Sequence, residues 1–196
     1  MKKSFPDAPY ERYADDAVIH VKTKKRADQI LEALAQRMMD VKLELHPEKT
    51  KIIYCKDSNR KEGFDQVRFD FLGFTFTSRY ARNKSKQKFN SFLPGASDKA
   101  VKRMGVELRQ FRLHLHTSRS AIELARYYNP IISGWINYYG HFYKSRLSHF
   151  LQLISNCLIR WAMRKYKRLK RRSQAWNYLA PPSQREPNLW DGGHLA

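Results

Sequence analysis

The fold is decided by the sequence Tyr10-Glu11-Arg12-Tyr13-Ala14-Asp15-Asp16-Ala17-Val18-Ile19, in which two adjacent carboxylates lie between two short segments. Val18 and Ile19 are β-branched, which favours a strand, and Asp tolerates the tight backbone of a turn. We therefore predict a β-hairpin with Asp15 and Asp16 at or beside its turn. Because the two like charges repel each other at this exposed tip, a divalent cation would stabilise it. Mg²⁺ prefers such hard oxygen ligands and completes its shell with water and substrate phosphates.

Residue type alone leaves two interpretations of this Asp pair open. In a basic protein, adjacent Asp residues commonly form a solvated turn without further function. Alternatively, carboxylates of this kind hold two metal ions about 4 Å apart, one activating the attacking oxygen and one stabilising the leaving oxygen of a nucleotidyl transfer. In this second interpretation Asp15 and Asp16 are metal ligands and catalytic residues, and Mg²⁺ is the cofactor.

The segment around the Asp pair resembles the palm motif of reverse transcriptases, and its flanks are similar to those of the group II intron reverse transcriptase/maturase family. The resemblance implies an RNA-directed DNA polymerase. Residues 43–54, which contain Glu48-Lys49-Thr50, resemble the family motif that follows the catalytic hairpin and leads into a strand, expected at residues 51–55. This likeness implies that Lys49 approaches the incoming triphosphate as a catalytic residue. A solvated lysine in a turn is the alternative.

The sequence Phe71-Leu72-Gly73-Phe74 resembles the primer grip of reverse transcriptases, a tight hairpin that holds the 3′ end of the primer over the metal ions. The resemblance assigns Phe71, Leu72 and Gly73 to that grip. Because glycine allows close approach of the backbone to a ligand, Gly73 is the best candidate for contact with nucleic acid. The alternative is a strand buried in the core.

A helical segment follows Pro94-Gly95. We predict helices from Ser97 or Asp98 to about residue 115, from Ser118 or Ser120 to a break or kink at Pro130, and from about residue 145 to residue 172. The aromatic sequence Ile131-Ile132-Ser133-Gly134-Trp135-Ile136-Asn137-Tyr138-Tyr139-Gly140 resembles the maturase-specific motif of group II intron proteins, the thumb-like X domain. It is a second motif of the same family, in the order that the family has.

The charge is strongly positive and unevenly distributed. The chain contains 38 Lys and Arg against 18 Asp and Glu, which gives a net charge of +20. Residues 97–172 hold 17 of these cations and 3 of the acids. Lys and Arg contacts to phosphate, combined with stacking on aromatic side chains, are a common way to hold RNA. The predicted RNA-binding residues are Arg109, Arg112, Arg164, Lys165, Lys167, Arg168, Lys170, Arg171 and Arg172, although such a run also occurs as a solvated helix end.

These observations predict an α+β fold in which a partial reverse-transcriptase palm of hairpin, helix and antiparallel strands is followed by an all-α domain. We place the palm at residues 1–95, the thumb/maturase X domain at 96–172 and a tail at 173–196. No apolar run approaches the length of a membrane span, and the N-terminus has no signal-peptide core. Cys55 and Cys157 form neither a disulfide framework nor a zinc-binding spacing. We expect a cytoplasmic protein without a membrane partner.

The resemblance also implies what another chain would have to supply. In the family a further metal-binding Asp and the fingers lie upstream of the palm motif, whereas only twelve residues precede Tyr13 here. Asp7 has the wrong sequence context to replace that ligand. We therefore expect a fragment that binds intron RNA, assists splicing and mobility, and polymerises DNA from a primer only when a complementary upstream fragment is present. The alternatives are an inactive RNA-binding splicing factor or intron remnant, and a basic RNA-binding protein unrelated to introns.

Overall fold

The computed structural model describes residues 5–60, 63–83 and 85–179, and these form two compact units. The first contains residues 5–71 and 77–92, and the second contains residues 72–76 and 93–179. A five-residue segment, Leu72–Phe76, thus belongs to the unit that otherwise begins at Leu93. The sequence prediction divided the chain once, after residue 95, and did not assign residues 72–76 to the second unit.

The first unit begins with the predicted hairpin and helix. Strands β1 (Tyr10–Tyr13) and β2 (Asp16–Ile19) pair antiparallel in a two-stranded sheet. Helix α1 follows (Lys24–Asp40), and the Thr23 hydroxyl caps it by accepting a hydrogen bond from the Arg26 N–H at 3.2 Å. Such a cap satisfies one of the donors that the first helical turn leaves free. Both elements confirm the prediction.

A second antiparallel sheet has the strand order β3 (Arg68–Phe71), β4 (Phe74–Arg82) and β5 (Lys88–Ala96). The prediction of a strand at residues 51–55 is wrong, because this segment lies in neither sheet. Its backbone is held instead by single hydrogen bonds, such as Tyr54 N–H to the Gln66 carbonyl at 2.8 Å. β-Branched residues favour an extended backbone, but a strand also needs a neighbouring strand with free donors and acceptors.

The second unit is helical and contains the main hydrophobic core. Its helices are α2 (Asp98–Gln110), α3 (Ala121–Tyr139), α4 (Ser148–Lys165) and α5 (Arg172–Leu179), with short 3₁₀ turns at Leu113–Leu115 and Lys144–Leu147. The largest fully buried side chains are those of Trp161, Phe150, Met104, Leu108, Leu113, Leu124 and Leu147. The α+β class with a helical C-terminal part is therefore confirmed.

Two helix ends differ from the prediction, and of the break or kink expected at Pro130 the break is wrong. Helix α2 ends at Gln110 because Arg112 adopts a left-handed backbone, with φ of 46°. Helix α3 continues through Pro130, whose lost hydrogen bond is offset by burial of flanking side chains such as Ile132. The last predicted helix, residues 145–172, ends at Lys165, because the chain leaves the helix at Tyr166 and buries Leu169 in the turn before α5 begins at Arg172.

The predicted tail is helical where the structure describes it. Helix α5 occupies Arg172–Leu179, and its Ala175 is fully buried. Residues 180–196, which include Trp190, lie outside the described residues. None of the helices in the described part of the chain is long and apolar enough to cross a membrane.

Candidate functional site

The Asp pair lies at the tip of the β1–β2 hairpin. Tyr13 pairs with Asp16, so that Ala14 and Asp15 alone form the connection between the strands. Ala14 has a φ of 51°, in the left-handed region that a residue with a Cβ rarely adopts. The Arg12 Nε–H donates to the Ala14 carbonyl at 2.9 Å and supports this backbone. The two carboxylates are exposed and adjacent, as the sequence predicted.

The other acids near the start of the chain are already bound to cations or to histidine. Asp7 accepts two hydrogen bonds from Arg26, at 3.0 Å from Nε and 2.7 Å from Nη2. These bonds hold the pKa of the Asp7 carboxyl below its usual value. Glu11 contacts the His20 ring at 2.6 Å. Both oxygens of the Asp7 carboxylate are thus engaged by Arg26.

The hairpin offers Mg²⁺ a suitable but small set of donors. Within residues 5–60, 63–83 and 85–179, no three His, Cys, Asp or Glu side chains form a group that could hold a metal ion. Asp15 and Asp16 supply carboxylate oxygens, and Mg²⁺ commonly takes one or two carboxylates together with water and substrate phosphates. The donor set therefore fits Mg²⁺ when a substrate or another chain provides further oxygen ligands.

Lys49 lies in an exposed turn of the first unit, where its N–H donates to the His46 carbonyl at 3.2 Å. Its predicted contact with a triphosphate stays a prediction, because this geometry suits a solvated turn lysine equally well.

The predicted primer grip is a two-residue turn between β3 and β4. Leu72 and Gly73 have φ values of 51° and 80°. A two-residue hairpin turn with positive φ at both positions has a backbone twist that matches the right-handed twist of the two strands it joins. The preceding strand ends at Phe71, and Phe74 begins the next. Phe74 is buried in the core of the second unit.

Side chains at the end of α3 hold this turn. The Tyr138 hydroxyl donates to the Leu72 carbonyl at 3.0 Å. A Cβ placed on Gly73 would lie 2.9 Å from the hydroxyl oxygen of Tyr139, so the tyrosine occupies the space that the glycine leaves. The Tyr139 hydroxyl also accepts from Arg103 Nη2 at 3.2 Å. The close approach predicted at Gly73 is thus made by a protein side chain in this structure. Sequence reasoning missed this role of the two tyrosines.

The predicted RNA-binding cations all lie in the second unit. Arg109 and Arg112 are at the end of α2 and just after it, and the others are at the end of α4, in the following turn and at the start of α5. All are exposed except Lys165, which is half-buried. The Lys165 amine donates to the carbonyls of Thr117 and Arg119, at 2.7 and 2.9 Å. Lys165 thus connects α4 to the loop before α3 through two hydrogen bonds, whereas the remaining cations are exposed.

Sequence reasoning missed a second basic surface at the start of α3. An open groove there is lined by Arg119, Glu123, Arg126 and Tyr127, all of them exposed. A signal was available, because positions separated by four, seven and eight residues share one face of a helix. The basic run after residue 163 has a higher density of cations, and the prediction therefore placed most RNA-binding residues there.

Comparisons with known protein families agree with this order of segments. A family model described as "Reverse transcriptase (RNA-dependent DNA polymerase)" matches residues 1–76. A second family model, described as "Group II intron, maturase-specific domain", matches residues 101–179. No curated protein matches the chain.

Proposed function

We propose that this chain, which belongs to the group II intron reverse transcriptase/maturase family and carries the C-terminal part of such a protein, binds intron RNA in the cytoplasm and assists splicing and mobility. The observation that carries the proposal is the charge of the helical unit. Residues 97–172 contain 17 Lys and Arg against 3 Asp and Glu, and most of the predicted contact cations are exposed. Such a surface attracts the phosphate backbone irrespective of sequence.

Binding of a group II intron RNA to the full chain, measured by fluorescence anisotropy over a series of salt concentrations, tests this proposal. We expect affinity to fall steeply with salt, because each phosphate contact releases counterions. Replacing Lys170 and Arg171 by Ala should weaken binding and make the salt dependence shallower.

The matched control replaces Lys24 and Lys25, exposed residues of the first unit, and removes the same charge. Equal losses for the two pairs would mean that net charge alone governs binding. RNA binding that does not depend on salt would contradict the proposal.

We further propose that the hairpin takes part in nucleotidyl transfer from a nucleoside triphosphate to the 3′ hydroxyl of a DNA primer on an RNA template, with release of pyrophosphate, when a complementary upstream fragment is present. Asp15 and Asp16 would hold Mg²⁺, which when bound supplies the charge stabilisation that this reaction needs. The chain's own contribution is to hold both carboxylates at one rigid tip, through the β1–β2 pairing and the Arg12 contact to the turn.

Primer extension on an RNA template tests this second step, with the chain alone and mixed with an upstream fingers–palm fragment. We expect extension only in the mixture, and its loss with Asp15→Ala. No extension in either case, with salt-sensitive RNA binding retained, favours the inactive RNA-binding splicing factor.

A further inference from the structure

The groove at the start of α3 is an open surface depression lined by one aromatic, two cationic and one acidic side chain. Its volume is about 300 Å³, and it is open to solvent. Arg119 and Arg126 supply two positive charges, Glu123 supplies one negative charge, and Tyr127 supplies an aromatic ring. All four residues lie in the second unit.

Tyr127 is held in position although most of its side chain meets solvent. Tyr127 is 62% exposed, and the Arg119 guanidinium lies over one face of its ring, 5.4 Å from the centroid. On the protein side, the buried Tyr128 packs edge to face with it, with ring centroids 4.9 Å apart. Tyr128 in turn stacks on Phe111 at 4.6 Å. A ring that is oriented before a ligand arrives loses little entropy on binding.

The backbone around the groove is also fixed. The Arg119 carbonyl accepts from the Lys165 amine at 2.9 Å. Ser120 and Glu123 form a reciprocal capping box, in which the Glu123 carboxylate accepts the Ser120 N–H at 2.6 Å. The acidic side chain is therefore used by the helix start, and the groove keeps a net positive charge with two Arg side chains.

We propose that this groove binds one unpaired base of a single-stranded RNA segment, with the base stacked on Tyr127 and the neighbouring phosphates on Arg119 and Arg126. The inference rests on the proposed RNA-binding function and adds a defined site to it. Stacking on aromatic residues accepts every base and requires the base to be free of a duplex. Arg suits the phosphates because its planar guanidinium donates paired hydrogen bonds to their oxygens. The groove thus recognises single strands in preference to duplexes.

The test uses the full chain and two probes, a fluorescently labelled single-stranded adenosine oligonucleotide and a blunt RNA duplex of equal phosphate number. Tyr127→Ala should weaken binding of the single strand by about 5- to 150-fold, the range that the loss of one stacked base gives. Duplex binding should change by less than about twofold, because it does not use stacking. Tyr127→Phe keeps the ring face and should retain the preference for the single strand that Tyr127→Ala loses.

Two further variants complete the design. Tyr80→Ala removes a tyrosine of similar exposure from the first unit, 72% against 62%, and should leave the preference for single strands unchanged. Arg126→Gln should make the salt dependence of single-strand binding shallower by about 0.7 in slope, as expected for one lost phosphate contact. Circular dichroism of each variant shows whether α3 remains folded.

The outcomes separate this inference from the function on which it rests. If the unchanged chain binds neither probe, the proposed RNA-binding function fails. If it binds both probes but Tyr127→Ala weakens them equally, or weakens neither, the stacking site is wrong while RNA binding stands. Unchanged single-strand salt dependence in Arg126→Gln would also contradict the site.

Discussion

Replacing Gly73 by Ala should destabilise the helical unit, because two separate features of the turn exclude a Cβ. Gly73 has a φ of 80°, and a residue with a Cβ pays about 1–2 kcal/mol in the left-handed region. The new Cβ would also lie 2.9 Å from the Tyr139 hydroxyl oxygen and 3.2 Å from Cε1 of the same ring. Forcing extra volume into a packed site costs about 1–3 kcal/mol. Ala also lowers the conformational entropy of the unfolded chain, which offsets about 0.4–1 kcal/mol of this loss in stability.

The net expectation is a loss of about 1–5 kcal/mol in the free energy of unfolding. Urea unfolding followed by tryptophan fluorescence measures it, because the tryptophans among the described residues, Trp135, Trp161 and Trp176, all lie in the second unit. Gly134→Ala is the matched control. It lies within α3, and a Cβ there meets nothing within 4 Å. Since Ala is the better helix former, this variant should be more stable by about 0.5–1 kcal/mol.

A double-mutant cycle identifies the cause of the loss. Tyr139→Phe removes the nearest atom, so the cost of Gly73→Ala should be at least about 1 kcal/mol smaller in that background. Tyr139→Phe alone also loses the hydrogen bond from Arg103, which the cycle subtracts. If Gly73→Ala costs the same with either residue at position 139, the tyrosine does not occupy the glycine's space. A cost near zero would refute the whole argument.

Three further perturbations test local features. Ala14→Gly should relieve the left-handed strain at the Asp hairpin and slow amide hydrogen exchange of the paired strands; faster exchange would contradict the strain. Ser120→Ala should lower the stability of the helical unit by about 1 kcal/mol through loss of the cap, measured by urea unfolding. Hydrogen bonds from Ser120 lower the pKa of Glu123 below its usual value of 4.5. The stabilisation from these bonds is therefore present above pH 4.5 and is lost as pH falls through the folded pKa. Ser120→Ala keeps the N–H that Glu123 accepts and removes only the hydroxyl, so it should flatten the acid side of the stability profile in part. The hydrogen bond with Tyr178 raises the pKa of Tyr166 to about 12. The stabilisation of the folded state by this hydrogen bond is present below pH 10 and is lost as pH rises towards 12. Tyr178→Phe should therefore move the titration of Tyr166, followed by ultraviolet absorbance, towards lower pH.

Local features of the fold were predictable from the sequence because their signals lie within a few residues. The Asp hairpin follows from β-branched residues beside a turn, and the caps at Thr23 and Ser120 follow from a hydroxyl placed before an amphipathic pattern. The strand expected at residues 51–55 failed because local propensity does not reveal whether a partner edge exists. The partner of Gly73 was unpredictable for a related reason. Glycine in a turn signals a special backbone, but the residue that fills its space is 66 positions away.

Lys165 shows the same limit for the candidate site. The sequence places it in a run of cations, and nothing in that run separates it from its neighbours. The structure separates them, because its amine is bound to two carbonyls of the loop before α3 while the neighbouring cations are exposed. Lys165 supports the loop that carries Arg119, and we expect its removal to act on RNA through that loop. Loss of the Lys165 charge alone would weaken binding of single strands and duplexes alike. Displacement of Arg119 would weaken binding of single strands more than binding of duplexes.

The acids of the first unit and the cations of the second form two sets of functional groups that mutation can separate. The Asp hairpin is held by contacts within the first unit, and the exposed cations and the Tyr127 groove are held by contacts within the second. Asp15→Ala should therefore leave the affinity for RNA and the preference for single strands intact, while Tyr127→Ala changes both without touching the proposed metal ligands. A loss of RNA binding in Asp15→Ala would mean that the hairpin is part of the RNA surface, and would remove the reason for assigning it to metal-dependent chemistry alone.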